Sequence, residues 1–243
     1  MILLLDAGNT RVKWAWLEYL EIAPAGAIAH DATHRSWQRE IEADGHTPSR
    51  IVVANVAGPA FAAAVTLWAR DHYAVEPEFI VALPAAYGVT NGYERPAALG
   101  VDRWLGLIAA WRRGCCATLI VAGGTALTVD ALDGTGRHRG GLIVPGVQML
   151  GDARHALDGA GAHAAAGTPT LPGVPADPVP FMLAALADRA CREFTRQLGT
   201  TPRVLLTGGD AQLLAPFLST PVEAVSDLVL TGLAIVATGG SVA

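Results

Sequence analysis

The stretch LLLDAGNTRVKWAWLE, Leu3–Glu18, decides how the rest of the chain is read. An apolar run ends at Asp6, a small polar turn follows, and a second apolar run begins at Val12. Gly8, Asn9 and Thr10 between two such runs predict a hairpin, with strands over Met1–Asp6 and Val12–Leu17. The same turn can hold phosphate oxygens. Glycine lets backbone N–H groups come close to a ligand, and Asn9 and Thr10 add side-chain donors. Asp6 at the strand end is suited to Mg²⁺, directly or through water, and Lys13 can reach the phosphates from the second strand. On this stretch alone a plain turn explains the residues better, because Asp, Gly and Asn all favour turns.

A second copy changes that balance. LIVAGGTALTVDAL, Leu119–Leu132, is again strand, glycine turn, strand. Aligned on the glycines, Gly8 matches Gly124 and Asp6 matches Ala122. The repeat predicts two lobes with the same opening hairpin. The division falls near Arg112–Cys116, giving lobes 1–113 and 114–243. Two hairpin turns facing each other across a cleft can clamp a polyphosphate. A third glycine pair, Gly208-Gly209 in LLTGGDA, follows a strand and precedes a helix, and offers flat backbone to a base or ribose.

Further strands are expected at Arg50–Asn55, Phe79–Ala82, Ala117–Val121, Ala126–Leu132, Gly141–Val144 and Arg203–Leu206. Helices are expected at Ser36–Ala43, Ala60–His72, Leu99–Arg113, Val147–Leu157, Val179–Leu198, Ala211–Leu218 and Leu228–Ala237. The third carries Trp104, Leu107, Ile108 and Trp111 on one face. Alternating strands and helices imply an α/β fold, and the opening hairpin makes its sheets mixed rather than purely parallel. His155–Pro180, rich in Ala, Gly and Pro, reads as a long loop.

Composition narrows the function. Of 243 residues, 51 % are apolar and 16 % charged, as in a compact globular chain. The net charge is −5, and no Lys/Arg block is present, so direct nucleic-acid binding is not expected. Cys115, Cys116 and Cys191 form no disulfide framework and no spaced metal motif, as expected of a cytoplasmic protein. No stretch reaches the roughly 18 apolar residues of a membrane span.

NGYERPAALGVDRWLGL, Asn91–Leu107, adds a candidate substrate end. Asp102 and Arg103 stand at the start of an apolar helix. Arg103 can grip a carboxylate, and Asp102 can take a proton from a hydroxyl attacking a phosphoryl group. Taken alone, an acid in a first helical turn is better explained by the helix dipole.

Together, DAGNTRVK, YERPAALGVDRW, GGTALTVD and GGLIVPG, in this order and at these intervals, resemble type III pantothenate kinases, a family that includes Bvg accessory factor-like proteins. The resemblance runs from Met1 to Gly146 and, more weakly, from Arg203 onward. GVDRW with an upstream tyrosine is its most specific element; D-x-G-N-T also marks the wider superfamily of actin-like and hexokinase-like ATPases. It implies two ribonuclease-H-like lobes with mixed five-stranded-type sheets and an ATP cleft between them. It implies a homodimer and the phosphorylation of pantothenate by ATP, the first step of coenzyme A synthesis. By position it implies a first phosphate loop of Asp6, Ala7, Gly8, Asn9, Thr10, Arg11, Val12 and Lys13, with Asp6 associated with Mg²⁺. Gly124 and Thr125 resemble the second phosphate contact, and Gly208 and Gly209 the adenosine contact. Asp102 resembles the general base. Tyr93, Gly100, Val101, Asp102 and Arg103 resemble the pantothenate contacts.

The chain departs from the family in two places. Where the family's second loop carries an acid that binds potassium or ammonium, this chain has Ala122, whose side chain cannot coordinate a cation. Where the family has a threonine that touches pantothenate across the dimer, Leu171-Pro172 leads instead to Phe181 and Met182. Three readings follow: a working pantothenate kinase, which we favour, a catalytically degenerate relative acting as a regulatory binding protein, and a kinase for another small hydroxy acid.

Overall fold

The computed structural model describes residues 1–30, 36–159, 175 and 177–240. Strands are β1 (Ile2–Ala7), β2 (Arg11–Glu18), β3 (Glu21–Ala29), β4 (Arg50–Asn55), β5 (Glu78–Phe79), β6 (Ala85–Ala86), β7 (Val89–Thr90), β8 (Thr118–Gly123), β9 (Ala126–Leu132), β10 (His138–Pro145), β11 (Arg203–Thr207) and β12 (Glu223–Ala224). Helices are α1 (Ser36–Ala43), α2 (Pro59–Tyr73), α3 (Val101–Arg112), α4 (Val147–Gly159), α5 (Pro178–Leu198), α6 (Ala211–Leu214) and α7 (Leu228–Ala237).

The duplication seen in the sequence is a duplication of topology. One five-stranded sheet has the order β3-β2-β1-β4-β5, the other β10-β9-β8-β11-β12. In each, the first strand pairs antiparallel with the second and parallel with a later one: β1 with β2 and β4, β8 with β9 and β11. The sheets are mixed, as the opening hairpin predicts.

The chain forms two compact units: Met1–Cys115 with Gly136–His138 and Asp227–Ala243, and Cys116–Thr135 with Arg139–Ser226. In the first, Leu3 and Leu5 of β1 join Trp14, Trp37, Phe61 and Trp68 in one core cluster. Leu4 and Val52 are also fully buried, and α3 and α7 pack on the sheet. A strand covered on both faces reads as an unbroken apolar run, which is what Ile2–Leu5 is. Chain order would group α7 with the second unit, but its contacts are with α3, β1 and β4. In the second unit, α5 lays Leu183, Ala187 and Phe194 against Leu119, Val121 and Leu206.

Most expected elements form, within a residue or two at their ends. Four strands were not expected: β3, β6, β7 and β12. β3 is an edge strand rich in Ala, and Pro24 sits beside a register shift at Trp14/Ala15, a place where proline is tolerated. The strand expected over Phe79–Ala82 is only Glu78–Phe79. The third helix starts at Val101, after a 3₁₀ turn over Pro96–Ala98. Apart from Asp102, every residue from Val101 to Ala110 is buried, so α3 is enclosed rather than amphipathic. The helix expected to reach Leu218 ends at Leu214 and tightens to a 3₁₀ turn over Ala215–Phe217, which holds Pro216. Of the expected loop His155–Pro180, the start belongs to α4 and the end to α5; residues 160–174 and 176, Leu171 and Pro172 among them, lie outside the described residues.

Candidate active site

Each unit presents part of the expected site, and each part is built by its own sheet. In the first unit, β1 delivers Asp6 to the end of a buried strand. The Gly8 N–H donates to the Arg11 carbonyl at 3.0 Å and closes the turn. Asn9, Thr10 and Arg11 are exposed at its tip, while Ala7 and Val12 are buried. His30, which the sequence reading missed, braces this turn. Its Nε2 lies 2.7 Å from the Gly8 carbonyl, and its backbone N–H donates to the Thr10 carbonyl at 2.9 Å. A carbonyl only accepts, so Nε2 carries the proton. A lone histidine just past an unrecognised strand gave no sequence signal.

Asp6 is the cross-strand partner of Lys13. The Lys13 ammonium nevertheless pairs with Asp227, just before α7, at 3.0 Å. Burial pushes the Asp6 carboxyl up from 3.8 to about 7; Lys13 pulls it down, and Asp102 and Asp227 push it up again. Three acids therefore act in one neighbourhood with one lysine, a field that favours an added cation. Among the described residues no cluster of three His, Cys, Asp or Glu makes a metal cage. Mg²⁺ in nucleotide sites needs none, because it keeps waters and takes phosphate oxygens beside one or two carboxylates. Asp6 fits that requirement.

The substrate segment is held by Asn91, also missed. Its amide donates to the carbonyls of Leu83 and Pro96 at 3.3 and 3.2 Å, and its Oδ1 accepts the Tyr93 N–H at 3.0 Å. Tyr93 stacks on the buried His138, ring centroids 5.9 Å apart and 10° between planes. The Arg103 guanidinium donates to the Tyr93 hydroxyl at 3.0 Å. Arg103 is only 8 % exposed, so its charge is fixed in place by neighbours rather than solvated. Gly100 caps α3, its carbonyl accepting the Trp104 N–H at 2.9 Å. Val101 is buried behind it. Asp102 Oδ1 accepts the Arg103 N–H at 2.8 Å, which orients the carboxylate from its own helix. Tyr93, Gly100, Val101, Asp102 and Arg103 are thus brought together, and Asp102 acts on Asp6 electrostatically.

In the second unit three glycine segments converge. The turn after β8 closes with the Gly124 N–H on the Ala126 carbonyl at 3.1 Å. Gly208, just after β11, has φ 92°, and a Cβ there would lie 2.1 Å from the Gly123 carbonyl oxygen. Gly146, before α4, approaches as closely: a Cβ would lie 1.9 Å from the Gly124 oxygen, and its N–H donates to the Thr125 carbonyl at 3.0 Å. Gly123, Gly124 and Thr125 are therefore walled by bare backbone on two sides. At Gly209 a Cβ would meet nothing within 4 Å. Asp210 accepts the Val147 N–H, which lowers its pKa, but burial outweighs this and the net shift is upward. Ala122 lies in β8 opposite Thr128 and Thr207, with no carboxylate of its own. Phe181 and Met182 are on α5 and exposed.

The family model for type III pantothenate kinase matches residues 2–159. The chain is similar to the type III pantothenate kinase of Nitrosococcus oceani, 35 % identical over 98 % of this chain and 94 % of that one. It is 38 % identical to that of Laribacter hongkongensis, over 96 % and 97 %. Among solved structures it is similar to the activator of the 2-hydroxyisocaproyl-CoA dehydratase from Clostridium difficile with bound ADPNP. That match has TM-score 0.53 at 12 % identity, over 96 % of this chain and 91 % of that one, and shows a shared fold alone. With a family model across most of its length and relatives this similar end to end, the chain belongs to the type III pantothenate kinase family.

Proposed function

We propose that this chain phosphorylates pantothenate with ATP, with Asp102 as the general base. The observation that carries the assignment is the placing of Asp102 in the first turn of α3, fixed by its own helix and coupled to Asp6. Asp102 takes the proton of the substrate's primary hydroxyl. That oxygen attacks the γ-phosphorus, the bond to the β–γ bridging oxygen breaks, and ADP leaves. Arg103, held by Tyr93, receives the substrate carboxylate, with Gly100 and Val101 beside it. The first phosphate loop, Asp6 to Lys13, and Gly124 and Thr125 bind the ATP phosphates. Gly208 and Gly209 lie against the nucleoside. Mg²⁺ bound with ATP at Asp6 supplies charge neutralisation on the phosphates.

A potassium or ammonium ion belongs to the family pattern, and Ala122 offers it no side-chain ligand. The enzyme therefore works without one or holds it by backbone oxygens. We further propose a cytoplasmic homodimer. Exposed Ile143, Met149, Phe181 and Met182, on β10, α4 and α5 of the second unit, are apolar surface of the kind a partner covers.

The test is phosphopantothenate formation by the purified protein with MgATP, in potassium, ammonium or sodium alone. Product is expected in all three. No product in any, from folded protein that still binds ATP, would leave the degenerate regulatory relative as the better reading.

A further inference from the structure

The ion pair between Lys13 and Asp227 is not the one the sheet provides for. Asp6 and Lys13 are directly opposite in the β1–β2 ladder, so their side chains leave the same face at neighbouring distance. A lysine facing a partly buried carboxylate would ordinarily close on it. Here the ammonium turns to Asp227 Oδ1 at 3.0 Å, with the two side chains 29 % and 32 % exposed. Asp227 is set for this by the backbone. It precedes α7 in the left-handed region, φ 52° and ψ 43°, and its carbonyl accepts the Thr231 N–H at 3.0 Å, so the first turn of α7 fixes its place. A non-glycine residue is uncommon in that region, and such strain persists only where the surroundings impose it.

We propose that Asp227 is a positioning residue that holds Lys13 off Asp6, leaving the Asp6 carboxylate to the nucleotide-bound cation. The inference rests on the reading of Asp6 as the cation-associated acid. Without Asp227, the carboxylate directly opposite Lys13 in the strand ladder is that of Asp6. It closes on Asp6, and a divalent cation must then break that pair to bind. The charge of Asp227 matters here, not its shape.

Asp227→Asn separates the two, because asparagine also accepts the left-handed conformation and keeps the side-chain size. The probe is Mn²⁺ with ADP, followed by the paramagnetic resonance of free Mn²⁺, with metal-free ADP binding measured alongside. Asp227→Asn is expected to weaken Mn²⁺–ADP binding about tenfold and to leave metal-free ADP binding within about twofold. Asp227→Glu restores the metal-dependent part. Lys13→Met lowers ADP binding by itself because Lys13 is a phosphate contact, but in that background Asp227→Asn leaves the ratio of Mn²⁺–ADP to metal-free ADP affinity unchanged, because the competitor is gone. If the asparagine variant does not fold, Asp227→Gly, which suits the same backbone angle, takes its place.

Unaltered Mn²⁺–ADP binding in Asp227→Asn overturns the proposal. So does an equal loss of metal-free ADP binding, or a loss that persists without Lys13. Failure of the unaltered protein to bind Mn²⁺–ADP at all would instead overturn the reading of Asp6, and this inference with it.

Discussion

Asp6 should destabilise the ligand-free protein, and more so as the pH rises. Its carboxyl is raised from 3.8 to about 7, chiefly by burial, with Lys13 opposing and Asp102 and Asp227 adding. The sign follows from linkage. Between these two values the folded state binds more proton than the unfolded state, so stability falls as pH rises from about 4 to about 7 and is level above. At about 1.4 kcal/mol per pKa unit the full penalty is about 4 kcal/mol, an upper bound because Asp6 is only partly buried and water screens it. Asp6→Asn removes the titration and keeps the shape. Urea unfolding of both proteins without nucleotide or metal, at pH 5 and pH 8, isolates the effect because other groups cancel in the difference. The advantage of Asp6→Asn should grow by about 1–3 kcal/mol between those pH values, while its binding of Mg-nucleotide is lost. A difference independent of pH, or a variant less stable at pH 8, would refute the account of Asp6.

The other predictions concern chemistry and backbone. Asp102→Asn should leave the ATP dissociation constant nearly unchanged and cut phosphorylation by about 10²–10⁴-fold; unchanged turnover would remove Asp102 as the base. Gly208→Ala adds a Cβ 2.1 Å from the Gly123 oxygen at φ 92°. It should cost about 1–3 kcal/mol in denaturant and raise the KM for ATP; wild-type values for both would mean that the close approach is not needed. Ala122→Asp should confer or strengthen activation by potassium. Rates equally indifferent to potassium in both proteins would show that the second loop is misaligned.

Sequence was most informative where structure is local. The two glycine hairpins were legible because strand, turn and strand are set by a dozen consecutive residues, and their repetition already implied duplicated mixed sheets. α3 was legible from its apolar run, although its start was read two residues early, at Leu99. β3 was not, because an edge strand of Ala, Gly and Pro takes its conformation from the β2 ladder rather than from its own propensity. His30, Asn91 and His138 were missed for a related reason: they act on residues up to 22, 8 and 45 positions away in sequence, respectively, and neither composition nor spacing marks them.

The sequence by itself thus determined the fold class, the duplication and the family, since these rest on short-range patterns and on motifs in a fixed order. Only the tertiary structure decided which charges face each other. Lys13 and Asp227 are 214 residues apart in the chain. They meet because α7, enclosed by apolar residues, gains more by burying them against α3 and the first sheet than by staying near its neighbours in sequence. Hydrophobic burial chose where the helix goes, and the carboxylate at its start was carried to Lys13 of the first hairpin.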